Sequence, residues 1–364
     1  MNLRVSNQRL LWVALFIGLA TCLFPGPALG EPDRAAQLRF SIVDLGVFPG
    51  GTFTIANGIN NAGQITGSGD VPGGHQHAFL YSGVGLLDLG VLNATDSYGT
   101  RLNDSAQMIG FLRFTPAIVS SFFYSNSQMY DFERLTGLSA AGPTDINNAG
   151  DIVGWANQPG RGNLQTGFLY RNGSVQFLPV LHPDGISWAS GMNEAGQIVG
   201  GAAIGPIVNP GSYYIWHATL YSGGQAIDLG VLPGGTYSGA NAINGAGHIV
   251  GFSEVAGGDS HAFLYRDGMM ADLGVLAGDR YASAVAINDS GTIVGYSHDG
   301  ATRFHVFIYV DGAMHDLSNL LRGNQGWQLL SAAGINEAGQ IVGSGLRHGK
   351  QHGFMLTPVS KAAR

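Results

Sequence analysis

Five histidines occupy a matched position in this chain: His77, His217, His261, His305 and His352, each at least 44 residues from the next. A set of histidines invites a metal site, but the spacing argues against one. Residues in successive copies of a repeat are a whole structural unit apart, too far to share an ion at the ~2.0–2.1 Å of a histidine–zinc bond. The expectation is a hydrogen bond made once per unit, to the Asp of an Asp-Leu-Gly motif or to an Ile-Asn amide. No metal and no cofactor is implied.

Two other groups could do chemistry. Glu254, Asp259, Asp279, Arg280, His298, Asp299 and Arg303 fall on adjacent loops and include acid, base and anion-binding types. Charged loop tips are ordinarily just solvated. The second group is aromatic: Phe53, Tyr98, Trp188, Tyr237, Tyr281 and Trp327 each stand shortly before a small-residue strand, and Tyr213 and Trp216 lie in the insertion Gly201–Trp216. Flat rings with polar neighbours suit sugar rings, whose C–H faces stack on them. The other reading is that each ring plugs the wedge between neighbouring units. No nucleophile elbow, His-Glu-x-x-His site, Walker loop or cysteine pair occurs.

The elements that must position these residues come from an internal repeat. An apolar residue, an Asn, a small-residue turn and an apolar-apolar-Gly run recur with Asn60, Asn103, Asn147, Asn193, Asn244, Asn288 and Asn336. A second marker follows each in turn: Phe79, Phe122, Phe168, Thr219, Phe263, Phe307 and Phe354. Each unit of about 44–52 residues divides into four strands, in the clearest copy Ser238–Asn244, His248–Ser253, His261–Arg266 and Met269–Leu273. Four strands per such length is the pattern of a β-propeller blade. The first strand of each unit is rich in Ala and Gly, as convergence on an axis requires. The chain opens on an orphan fourth strand, Phe40–Gly46, and its last unit stops after three. The expectation is an all-β, seven-bladed propeller of four-stranded blades over residues 38–358, its ring closed by the N-terminal strand pairing with the last blade. The repeated histidines and asparagines are then structural.

Composition agrees. Of 364 residues 58 are Gly, which disfavours a helical protein, while 45% hydrophobic residues suffice for a core. The net charge is −7 and Lys occurs only at Lys350 and Lys361, so nucleic-acid binding is disfavoured. Arg4, Arg9, the apolar run Leu10–Phe24 and Ala28-Leu29-Gly30 make residues 1–30 a secretory signal peptide. The only cysteine, Cys22, would leave with it. A linker (31–37) and a tail (359–364) complete the chain. No membrane span is expected after cleavage.

His77-Ala78-Phe79 and His261-Ala262-Phe263, with the looser His217-Ala218-Thr219, His305-Val306-Phe307 and His352-Gly353-Phe354, join the Asp-Leu-Gly and Ile-Asn markers. Together they resemble the bacterial extracellular HAF-repeat proteins, over about residues 40–358. The resemblance implies export and a repeat architecture, and lends no catalytic residues and no substrate. Ser120-Ser121-Phe122 and Thr166-Gly167-Phe168 depart from it. The expected function is a secreted or periplasmic, monomeric and non-catalytic scaffold. It would bind a glycan or a cell-surface protein through its variable loops. The alternative is a carbohydrate-active lyase or hydrolase with its site at the channel mouth.

Overall fold

The computed structural model describes residues 38–359, apart from 117, 163, 207–214, 302 and 324. The expected signal peptide, linker, Tyr213 and the tail beyond Val359 lie outside the described residues.

Each unit is nucleated by two kinds of tight turn. At Asn244 the side-chain Oδ1 accepts the N–H of His248, while Gly247 donates its N–H to the Asn244 carbonyl at a φ of +81°. In five units the third and fourth strands meet at two-residue turns with both residues at positive φ, as at Asp267 and Gly268. Such turns match the right-handed twist of the strands they join.

Antiparallel four-stranded sheets result. Thr54–Ile59, Ile65–Asp70, Gln76–Tyr81 and Leu86–Asp88 form one, and Asp96–Leu102, Met108–Thr115, Ile118–Ser125 and Gln128–Asp131 a second. Gly142–Ile146, Ile152–Asn157, Gln165–Arg171 and Ser174–Phe177 form a third, and Ser187–Met192, Ile198–Ala203, Trp216–Ser222 and Gln225–Asp228 a fourth. Two more sets share an eight-stranded sheet. These are Ser238–Ile243, Ile249–Glu254, Ser260–Arg266 and Met269–Gly274, and Tyr281–Ile287, Ile293–His298, Phe304–Val310 and Ala313–Asp316. A single parallel pairing, Ser260 with Tyr281, joins them. The last sheet has five strands: Trp327–Leu329, Gly334–Ile335, Ile341–Arg347, Lys350–Pro358 and, from the other end of the chain, Phe40–Asp44. Phe40 lies opposite Pro358 and Asp44 opposite Phe354.

The core explains the repeat. Phe79, Phe122, Phe168, Phe263, Phe307 and Phe354 on the third strands are fully buried. On the second strands a Cβ added to Gly67, Gly110, Gly154, Gly200, Gly251, Gly295 or Gly343 would lie 1.9–2.2 Å from a first-strand carbonyl oxygen. In six units the first strand carries a bulge at this level, for example between Ala240 and Ala242. A bulge presses one carbonyl onto the partner strand, and only glycine leaves it room.

Between Arg347 and Lys350, His348 and Gly349 make a two-residue turn that joins two long strands. In two units the fourth strand runs into a helical turn, at Phe132–Thr136 and Leu317–Leu320. Elsewhere Asp-Leu-Gly puts Gly46, Gly90, Gly230 and Gly274 at φ of 74–79°. Glu133 and Ser318 stand in that place, and Asp131 and Asp316 instead cap a helical turn by accepting the N–H of Arg134 and Ser318.

Candidate functional site

The repeated polar residues prove to be bracing. The Nδ1 of His77, His217, His261 and His352 donates to the carboxylates of Asp88, Asp228, Asp272 and Asp44 at 2.8–3.0 Å. His305 differs: it bonds Asp279, whose side chain is only 1% exposed and whose other oxygen has no partner. Asp44 also receives Arg347 and the Gly46 N–H. Burial alone would raise its carboxyl, but these three donors outweigh it and hold the group below the usual carboxylate range.

The seven asparagines are buried. The Nδ2 of Asn60, Asn103, Asn193, Asn244 and Asn288 donates to the carbonyl of the next Asn in the chain at 2.9–3.1 Å. That of Asn336 donates to the Asn60 carbonyl at 3.0 Å. Asn147 turns instead to Asp151, and there Thr144 Oγ1 reaches the Ala189 carbonyl and Asp145 accepts the Met192 N–H.

On the first strands, the position two before each Asn holds Gly58, Gly191, Ala242, Ala286 and Gly334 in five units, and Arg101 and Asp145 in the other two. A Cβ on Gly58 would lie 3.3 Å from the Arg101 Cα, so neighbouring first strands nearly touch. Burial raises the Asp145 carboxyl above its usual range, against the pull of Arg101 and the Met192 N–H.

The charged loop group does not converge on one point. Glu254 accepts the N–H and hydroxyl of Thr236, as Asp70 does from Thr52, and braces the loop before the next strand. Arg280 pairs with Asp259, Asp279 with His305, and Asp299 accepts the N–H groups of Ala301 and Arg303. Among the described residues no group of three or more His, Cys, Asp or Glu is placed to hold a metal ion.

The aromatic group does assemble, in part. Trp188 meets Trp216 edge-on at 5.9 Å, Trp216 meets Tyr237 at 6.1 Å, and Tyr237 meets Phe252 at 6.3 Å. One unit on, Tyr281 stacks on His298 at 5.1 Å and His298 on Phe304 at 4.6 Å, with Tyr296 alongside. Burial raises the Tyr237 phenol, and the charges of Glu254 and Tyr281 push it the same way. The rings are half-buried, except Phe304 at 58% exposed. Ile204 and Ile215, also exposed, flank Trp216. Tyr98 lies apart under the Arg113 guanidinium, and Phe53 is held at its backbone by Asp70. Trp327 is a correction: it is 5% exposed and packs edge-on against Phe354 and His352, so it fills a wedge and belongs to no rim. Phe252, Tyr296 and Phe304 were missed. The residue after the second-strand Gly is aromatic in four units (Phe111, Trp155, Phe252, Tyr296), a signal available in the sequence.

A separate groove of about 710 Å³ lies on the outer flank of the second sheet, between Leu92, Met129, Tyr130, Arg134 and Leu135. No helix among the described residues is long and apolar enough to cross a membrane.

No protein-family model matches the chain, and no curated protein sequence matches it. Solved structures do. The β-propeller domain of the Trilobed protease from Pyrococcus furiosus is 10% identical, with a TM-score of 0.54 over 85% of this chain and 97% of that one. The acylaminoacyl peptidase of Pyrococcus horikoshii is 12% identical at a TM-score of 0.48, over 83% of this chain and 50% of that one. The Aleuria aurantia lectin is 11% identical at 0.36, over 89% and 95%. The first of these likenesses establishes the fold: the chain is a β-propeller.

Proposed function

We propose that this protein is a non-catalytic, glycan-binding propeller of seven four-stranded blades closed into a ring. Support for seven closed blades comes from the pairing of Phe40–Asp44 with Lys350–Pro358 and from the bond of Asn336 to Asn60. Export as a member of the HAF-repeat family is part of the same proposal, supported by residues 1–30 and the His-Ala-Phe copies. The observation that carries the binding role is two groups of rings on successive units, Trp188, Trp216, Tyr237 and Phe252 in one and Tyr281, Tyr296, His298 and Phe304 in the other. Such rings offer apolar faces to sugar C–H groups, and tyrosine hydroxyls and loop carboxylates meet the sugar hydroxyls beside them.

A glycan array probed with the protein tests this. Trp188→Ala and Phe304→Ala should each weaken binding about tenfold, the equivalent of ~1.4 kcal/mol. Binding indifferent to both changes would remove the platform.

A second reading, a carbohydrate-active enzyme, rests on the unequal Arg101 and Asp145 among otherwise small residues. A carboxyl raised by burial is a form suited to a general acid. Reducing-end release from a polysaccharide, abolished in Asp145→Asn, would establish it. No release from any bound glycan would eliminate it.

A further inference from the structure

Resting on that glycan-binding reading, we infer that the ligand is an uncharged polysaccharide chain laid lengthwise across three neighbouring units, from Trp216 to Phe304. Length follows from repetition. Tyr237 and Tyr281 hold the same place, seven residues before Asn244 and Asn288, Phe252 and Tyr296 match one another after Gly251 and Gly295, and Trp188 and Trp216 add rings in the unit before. Equivalent rings in successive units present equivalent faces at intervals, which suits a ligand that itself repeats. A single sugar would engage one unit and leave the others idle.

Charge selects the class of chain. The loops that carry the rings hold four carboxylates, Glu254, Asp259, Asp299 and the buried Asp279, against two guanidinium groups, Arg280 and Arg303. Arg280 lies over the Tyr281 ring and is already paired with Asp259, so it is neutralised where a polyanion would need it. A uronate or sulfated chain would therefore meet loops with twice as many carboxylates as guanidinium groups, and the guanidinium over the Tyr281 ring is already engaged. His298 completes the argument. Its Nδ1 accepts the Gly300 N–H, a bond that requires the neutral ring, with the proton on Nε2. The stack of Tyr281, His298 and Phe304 is thus three uncharged rings, the outermost open to solvent.

The test is equilibrium binding of the full chain to soluble neutral polymers (hydroxyethyl cellulose, glucomannan, dextran) and to alginate and polygalacturonate. At least one neutral polymer should bind, with affinity changing less than about twofold between roughly 0.05 and 0.5 M salt. Its hexasaccharide should bind at least about tenfold tighter than its trisaccharide. Trp216→Ala and Phe304→Ala should both weaken the hexasaccharide, because they sit at opposite ends of the path. Phe304 is exposed, so that variant keeps its fold, and circular dichroism checks both. Preference for alginate or polygalacturonate, fading with salt, would overturn the inference and leave glycan binding standing. Equal affinity for the two oligosaccharides would likewise overturn it. Failure to bind any carbohydrate would overturn the reading beneath it.

Discussion

Ala106 stands where the other six units place a glycine in the Asn turn, and it is held at a φ of +58°. An L-residue in that region carries about 1–2 kcal/mol of steric strain. Ala106→Gly should raise stability by about 1 kcal/mol, measured by urea unfolding. Gly251→Ala should do the opposite, because its Cβ would sit 2.0 Å from the Gly239 carbonyl. A loss of about 3 kcal/mol or failure to fold is expected; a near-neutral result would show that the bulge can relax. The glycine of every second strand was legible as a repeat marker, but its cause was not. It depends on a bulge in a different strand, and pairing register is not written in the local pattern. His261→Ala, by contrast, breaks a pair in which Asp272 is 44% exposed and screened by solvent, so about 0.5 kcal/mol should be lost.

At the scale of strands and sheets, the asparagine bonds set the joints between neighbouring sheets. Asn244→Ala would leave the His248 N–H unpaired and strip the inter-sheet donor from the Asn288 carbonyl, which keeps only the Gly291 N–H, at about 1–3 kcal/mol. Asn147→Ala should cost less, because Asn147 bonds Asp151 within its own unit and Thr144 already spans that joint. Equal losses in thermal unfolding would refute this ranking. The Asp44 joint is sensitive to acid. Its folded carboxyl lies below the unfolded value of about 3.9, so its stabilising contribution is full above that pH and is lost as pH falls through the lower folded value. Protection of the Phe40–Asp44 amides, relative to their intrinsic exchange rates, should fall below about pH 4 in the parent and fall less in Asp44→Asn. Strand order and turn positions were readable from the Asn and Asp-Gly turns. The two helical turns were hidden because only one residue, the glycine of Asp-Leu-Gly, distinguishes the alternatives. Trp327 was misplaced for a similar reason: the aromatics before each first strand look alike in sequence, and only packing against Phe354 separates the buried one.

At the scale of the whole molecule, the first strand is the piece on which the proposed closure depends. Deleting residues 38–44 would expose the edge of Lys350–Pro358 and remove the Asp44 carboxylate from Arg347 and His352. An uncovered strand edge invites pairing with another chain. The truncated protein should form dimers or larger species in light scattering; a stable monomer of parental melting temperature would show that the strand is dispensable.

The same pairing bears on the order of events in folding. Asp44 and His352 stand 308 positions apart, whereas most strands pair with the next one along the chain. Contacts so distant carry the largest loop-closure entropy and form late, after local hairpins have reduced the effective length between them. During synthesis the first strand therefore waits without a partner until almost the last residues are made. Refolding should show a fast phase for the intervening hairpins and a slower one in which the two ends meet. A chain interrupted shortly before Lys350 would be arrested between the two phases.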